Sequence, residues 1–328
     1  MWRCRRSCPV MATLLLSVLA ACAPGEPPPD QPAEGAETTM GEEAGVVDVV
    51  ARGLTLEAPA EIPSGWTTFR FDNQSEMIHF VVVERLPDGI GGQEQQDVVA
   101  PIFQEGMELL DEGNPDAAMA RFGELPEWFG EIVFLGGPGL TSAGRASQAT
   151  VRLEPGTYLL ECYVKTNGIF HSYNPDPEVW GMVHELTVTD EVSEASEPEP
   201  TLELTVSAEE GYTLEGTPSA DTWETVAVHF LDQTVHENFV GHDVQLVRLA
   251  QDTEMDALVD WMDWTRTGGL ESPAPAEFLG GLEEMPAGET GYFSFRAEAG
   301  RYAFIAEVPD AQEKGLVHVF EVGAVGGG

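Results

Sequence analysis

Short runs of the chain alternate apolar and polar residues with a period of two. Thr67-Thr68-Phe69-Arg70-Phe71, Phe80-Val81-Val82-Val83, Ala149-Thr150-Val151-Arg152-Leu153 and Tyr158 to Val164 are rich in β-branched and aromatic residues. Gly, Pro and Asn bound them, and that combination predicts strands. From Tyr158 to Lys165 the alternation puts Tyr158, Leu160, Cys162 and Val164 on one face, with Glu161 and Lys165 on the other. Cys162 is therefore expected to point inward. Tyr302, Phe304, Ala306 and Val308 repeat that face later in the chain. Elsewhere the period becomes helical. Val98, Val99, Ile102, Phe103, Leu109 and Leu110 predict one helix, and Asn114-Pro115 offers an N-cap and first-turn proline for a second through Phe122. A further helix is predicted from about Thr253, with Asp256 completing a capping-box pattern, to Gly268.

The strand-rich parts form two units that repeat one another. Phe134-Leu135-Gly136-Gly137 matches Phe278-Leu279-Gly280-Gly281, and each is followed at the same offset by Tyr158 or Tyr302. His79 precedes Arg85-Leu86 as His242 precedes Arg248-Leu249, and Gly181-Met182-Val183-His184 corresponds to Gly315-Leu316-Val317-His318. Preserved order over a long period predicts two duplicated domains and not a solenoid. An acidic, Pro-punctuated stretch over 190–200 reads as the linker between domains at 47–189 and 201–328. The fold class expected is all-β: two β-sandwiches with short helical insertions.

The chain opens with Arg3, Arg5 and Arg6, then an apolar core from Val10 to Ala20 that is too short to span a bilayer, so residues 1–21 read as an export signal. Leu19-Ala20-Ala21-Cys22 resembles the lipobox of bacterial lipoproteins. The resemblance implies cleavage before Cys22 and a lipid on its sulfur, and Ala23 in the next position implies sorting to the outer membrane, on its periplasmic face. Residues 22–46, rich in Pro, Glu, Gly and Ala, read as a flexible acidic tether. Cys4 and Cys8 leave with the signal, so Cys162 is the one thiol expected in the mature chain, without a disulfide partner in an oxidising compartment. It is a buried small hydrophobe, a reactive thiol or a metal ligand.

Charge narrows the partners. With 57 acidic against 15 basic residues, the formal net charge is −42 over 328 residues. Counterion release at phosphates needs Lys and Arg, so nucleic acid is excluded as a partner, and so is a helix coating anionic lipid. High acid with almost no Lys fits a protein kept soluble in saline surroundings.

The first unit also carries soft and borderline metal donors in a suggestive order: His79 after a strand, Cys162 late in another, His171 in the following loop, and Met182 opening the last strand. Two imidazoles and a thiolate, with a weak axial thioether, are what a type 1 copper site requires. Asn73 to His79, Gly156-Thr157-Tyr158 through Cys162, His171, and Gly181-Met182 together resemble the cupredoxins, the plastocyanin and azurin family. The resemblance covers roughly residues 47–190; the second unit shares the fold pattern. It implies Greek-key sandwiches and one copper ion, with His79, Cys162 and His171 as equatorial ligands and Met182 as axial ligand. It also implies outer-sphere electron transfer, no enzymatic activity, a redox partner protein in the periplasm or at the cell surface, and the loop His at the solvent edge as electron port. The loops joining Cys162, His171 and Met182 are longer than in the best-known cupredoxins, and alternation makes His184 a competing ligand.

The second unit keeps His242 but has Ala306 for Cys162 and Leu316 for Met182, and it lacks the long loop bearing His171. That correlated loss suits a metal site removed as a whole. Two other functions stay open: a metal-free structural or protein-interaction lipoprotein, and a copper storage or sensing protein holding Cu(I). Other chemistry is thin. His229 and His236 lie near enough to His242 in sequence to permit a metal cluster, Trp261 and Trp264 read as helix core, and Phe134 to Gly137 read as a loop near the site.

Overall fold

The computed structural model describes residues 44–176 and 178–323. The segment expected to be an export signal, Cys22 and the expected tether up to residue 43 lie outside them. The first half contributes β1 (Val46–Arg52), β2 (Thr55–Glu57), β3 (Glu61–Asn73), β4 (Val82–Arg85), β5 (Val133–Phe134), β6 (Ala146–Leu153), β7 (Gly156–Glu161), β8 (Lys165–Thr166), β9 (Ile169–Phe170) and β10 (Val183–Val192). The second contributes β11 (Leu202–Ser207), β12 (Gly211–Glu215), β13 (Trp223–Phe230), β14 (Val244–Leu249), β15 (Glu277–Leu282), β16 (Thr290–Arg296), β17 (Gly300–Ile305) and β18 (Val317–Val322). The fold is all-β sandwich with short helices, as the sequence predicts.

The strand pairing follows the same plan in the two halves of one compact unit. In the first half β2, β1, β3 and β6 form one layer, with β1 parallel to β3, and the start of β3, then β10, β7, β4 and β5 form the other. The second half repeats this with β12, β11, β13 and β16 in one layer and β15, β14, β17 and β18 in the other. One antiparallel pairing, β6 to β16, joins the two first layers into a continuous sheet.

That junction is a local two-fold axis. Ala149 faces Phe293, and these are counterparts at the offset that separates Phe134 from Phe278. The Gly136 N–H donates to the Glu284 carbonyl, and the corresponding Gly280 N–H donates to the Leu140 carbonyl, both at 2.8 Å. Pro138 and its counterpart Leu282 bridge across the same axis. The repeated Phe-Leu-Gly-Gly motif is thus the seam between halves. Its second glycine must be glycine: Gly137 has φ 114° and Gly281 φ 144°, and a Cβ on either would sit 2.0 Å from a carbonyl oxygen, that of Val81 or Val244. Buried apolar side chains of both halves form one core across this seam.

The helices lie between strands, as predicted, with shifted ends. In the first half helical turns begin at Gly92, pass through a π-type stretch over Gln95–Val99, and become an α-helix over Ala100–Asp111, followed by a second over Pro115–Phe122. Asn114 precedes the latter but makes no side-chain cap; its amide reaches Glu112 instead. The helix expected from Thr253 to Gly268 spans Met255–Met262, because its last turn is given up to Asp263, whose carboxylate accepts from the Thr265 N–H and hydroxyl. Trp261 and Trp264 are buried, as expected, and no described helix is long and apolar enough to cross a membrane.

A larger correction concerns the strand leading to Cys162. It ends at Glu161, and the face expected to be polar is buried as well: Glu161 is 6% exposed and Lys165 1%. Lys165 Nζ donates to the Trp264 carbonyl at 2.7 Å, and Glu161 accepts from Gln95 Nε2 at 2.9 Å. The seam and the helical insertion cover the outer face of β7, so alternation could not separate inside from outside there.

Candidate metal centre

β7 delivers Cys162 between two neighbours, since it pairs with β4 on one side and β10 on the other. The Cys162 N–H donates to the Met182 carbonyl at 3.1 Å, and the Met182 N–H donates to the His171 carbonyl at 2.6 Å. The His171 N–H reaches back to the Val164 carbonyl at 2.8 Å, closing the loop despite its length. Gly181 permits that closure, because a Cβ there would stand 2.1 Å from the Ser172 carbonyl oxygen. His79 is fixed from the other side by a pair of backbone bonds with Thr141. The preceding loop is organised by buried Asn73, whose Nδ2 donates to the carbonyls of Met77 and Thr141, both at 2.8 Å.

Three donor atoms converge as a result. Cys162 Sγ lies 3.4 Å from His79 Nδ1 and 3.9 Å from His171 Nδ1, and the two nitrogens are 3.1 Å apart. All three side chains are buried, and they form the one group of three or more metal-ligating side chains found among the described residues. Burial pulls His79 down to about 4, partly offset by the Gly53 backbone, and pulls His171 down to about 3 with help from His79. Both rings are therefore neutral at physiological pH and have a lone pair to offer. Burial pushes the Cys162 thiol up to about 12, and the nearby Glu283 and Glu161 add to that. Without a cation the sulfur stays protonated and inert.

The surroundings of the three differ. His171 Nε2 is 2.9 Å from Thr166 Oγ1, which in turn lies 3.4 Å from Met77 Sδ. His79 Nε2 closes no hydrogen bond of ordinary geometry. Met182 is fully buried, with its backbone tied to both Cys162 and His171. His184 is not part of the group: its Nε2 faces the Pro59 carbonyl at 3.1 Å, outside the sandwich. The expectation of a solvent-edge imidazole also fails. His171 is 2% exposed, because β8 and β9 fold the loop back over it, leaving Thr166 and Met77 half-buried above the ring.

Sequence reasoning missed the acid interior beside this centre. Glu84, Glu161, Asp243, Glu283, Glu284 and Glu307 are all buried, and burial is the largest influence raising each of them, Asp243 and Glu161 to about 7 and Glu284 to about 8. Gln245 ties part of the group together, donating to Asp243 at 2.7 Å and to Glu283 at 3.0 Å. No periodicity marks these residues, since in an acid-rich chain a buried Glu looks like its exposed neighbours. The formal charge of −42 therefore overcounts the ionised acids of the folded chain.

No protein-family profile matches the chain, and no curated protein matches it. Among solved structures, it is similar to an auracyanin from the photosynthetic bacterium Roseiflexus castenholzii at 21% identity over 44% of this chain and 97% of that one, with a TM-score of 0.24. Auracyanin A, a "blue" copper protein of Chloroflexus aurantiacus, matches at 19% identity over 44% and 98%, with a TM-score of 0.26. A multi-copper oxidase from Pseudomonas thermotolerans matches at 12% identity over 84% and 67%, with a TM-score of 0.21. At TM-scores this low, the donor geometry and not the likeness has to decide what the centre holds.

Proposed function

We propose that His79, Cys162 and His171 hold one copper ion in a type 1-like centre, and that the protein carries single electrons. The observation that carries this reading is the spacing of the three donors. Metal–nitrogen and metal–sulfur bonds of ~2.0 and ~2.3 Å in a trigonal plane put the donors about 3.5–3.8 Å apart. The three separations here, 3.1, 3.4 and 3.9 Å, bracket that range without a bound cation. A thiolate and two imidazoles suit copper in both oxidation states, and the buried Met182, tied by its backbone to Cys162 and His171, would offer its thioether as a further weak donor. Copper supplies the one-electron couple; the chain's residues hold it, exclude water and fix its geometry. Thr166 orients His171 through Nε2, so that Nδ1 faces the sulfur. With His171 buried, electrons enter through one layer of side chains, Thr166 and Met77, where a partner protein would dock.

In the same reading the chain is an exported lipoprotein anchored through Cys22, with the second half metal-free at the position equivalent to Cys162. Loading the full chain with Cu(II) tests the centre. An intense thiolate-to-copper band in the visible, lost in Cys162→Ser, and a reversible one-electron wave are expected. Absence of any copper binding overturns the reading, whereas binding of Cu(I) without a redox wave replaces it with storage.

A further inference from the structure

Three of the buried acids line a cavity that the electron-carrier reading does not use. It measures about 70 Å³ and is walled from both halves: Glu84, Gln95 and Glu161 reach it from the first, Glu284 from the second. Gln95 is 3% exposed. Its Nε2 donates to Glu161 at 2.9 Å, which leaves Oε1 buried without a hydrogen-bond partner. A buried amide oxygen in that state is costly unless a guest supplies a donor. Among the described residues no Lys, Arg or His lines the space. Its polar wall is rich in acceptors and holds no cation of its own.

The rest of the wall is aromatic. The π-type stretch over Gln95–Val99 runs into the helix that carries Phe103, and Gln95, Val99 and Phe103 all face the cavity. Widened helical turns of this kind recur at functional sites. The Phe103 ring lies 5.6 Å from Phe129, 5.7 Å from Phe239 and 5.9 Å from Trp264, centroid to centroid. Phe239 is held there at φ 66°, which bulky residues rarely adopt, by a turn in which the His236 N–H donates to the Val240 carbonyl at 2.9 Å. The same aromatic cluster already receives one ammonium: Lys165 Nζ stands 5.6 Å from the Phe170 centroid while donating to the Trp264 carbonyl, without itself lining the cavity. We propose that this cavity binds a small alkylammonium ion, with its N–H on Gln95 Oε1, its charge balanced by the Glu84 and Glu284 carboxylates, and its alkyl groups against the rings. Cation–π attraction and buried counter-charge together select a positive guest over a neutral one. An apolar cavity of about 150 Å³ admits benzene, so this one suits a guest of about four heavy atoms, such as trimethylammonium. Burial keeps Glu84 and Glu284 protonated for want of a cation, and an entering ammonium takes the place of a proton that leaves to solvent.

The site stands whether or not copper occupies the first half, because it uses none of the three donors there. Calorimetric titration of the metal-free full chain with trimethylammonium chloride is expected to show one equivalent bound, in wild type and in Cys162→Ser alike. The uncharged 2-methyl-2-propanol, similar in shape, should bind more weakly by about tenfold or more. Glu284→Gln keeps an oxygen for the Gly241 N–H, so it should spare the fold, weaken the ion by about tenfold and leave the alcohol unchanged. Phe129 is half-buried at the edge of the cluster, and Phe129→Leu should weaken the ion several-fold while the melting temperature stays close to that of wild type. Failure of the ion to bind, equal binding of ion and alcohol, or an affinity indifferent to Glu284→Gln overturns the site.

Discussion

The two halves share a strand plan and differ at the point where one of them gathers metal donors. Backbone positions correspond closely: the Ala306 N–H donates to the Leu316 carbonyl at 3.1 Å, as Cys162 does to Met182, and the Leu316 N–H donates to the Ala311 carbonyl at 2.8 Å, as Met182 does to His171. Thiol, imidazole and thioether are thus replaced by Ala306, Ala311 and Leu316, all buried. The scaffold closes as well with alanines as with donors. A Cys flanked by two desolvated imidazoles is therefore not what the fold needs, and its presence in the first half has to be explained by chemistry. A larger feature also separates the halves, since the second contributes Asp243, Glu283, Glu284 and Glu307 to the buried acids, and Glu283 helps raise the Cys162 thiol.

The sharpest way to break the contrast is to make the first half resemble the second. Cys162→Ala with His171→Ala is expected to abolish the thiolate-to-copper band and cut copper affinity by more than a hundredfold, while the metal-free chain melts within a few degrees of wild type. Absorbance and calorimetry check both parts; collapse of the fold would show that the trio is structural after all. The reverse exchange is informative in the same way. Ala306→Cys is expected to give no such band, because Ala311 stands where an imidazole would be required.

Next in size is the seam. Gly137→Ala and Gly281→Ala meet the same obstacle, a positive φ and a carbonyl oxygen where the methyl would go. Each should cost about 3 kcal/mol or more in denaturant unfolding, of the order expected for backbone strain plus a steric clash, and by similar amounts if the local two-fold governs stability. Unequal losses would mean that the surroundings of the two glycines, Val83 at one and Gln245 at the other, yield unequally to the methyl.

Much of this was legible in the sequence, and the rest was hidden for physical reasons. Strands and helices follow from period and punctuation, and His79, Cys162 and His171 follow from donor chemistry in a recognisable order. The outward face of β7 was misread because Glu161 and Lys165 are polar yet covered by tertiary neighbours, Gln95 and Trp264, that are distant in sequence. The seam was invisible because glycine pairs look like loops until their carbonyl contacts are known. His184 stood as a competing ligand because alternation gives the side of a strand but not the distance to a metal, and its Nε2 faces the Pro59 carbonyl instead.

A smaller test concerns how His171 is held. Thr166→Val keeps volume but removes the hydroxyl at 2.9 Å from Nε2. Losing such an outer hydrogen bond typically weakens a metal site by about tenfold or somewhat more. The second half has Ala311 at the matching place, and a copper affinity unchanged by the substitution would mean that His171 keeps its orientation without the hydroxyl.

The smallest effect expected is on stability against pH, where the buried acids and the buried imidazoles act with opposite sign. Glu284, raised to about 8, binds a proton in the folded chain that an unfolded chain releases near 4.5. A folded state that holds more protons than the unfolded one loses stability as pH rises between those two values. His79 and His171 act oppositely: held near 4 and 3, they favour folding above the ordinary histidine range and lose that contribution as pH falls toward those values. The metal-free chain should therefore melt highest at mildly acidic pH and lose several degrees between pH 6 and 8. Glu284→Gln keeps an oxygen for the Gly241 N–H and removes one of several such titrations, so it should lessen the slope on the alkaline side and leave the acid side unchanged. If that side keeps its full slope, Glu284 is not one of the protonated groups of the interior, and the slope belongs to the other buried acids.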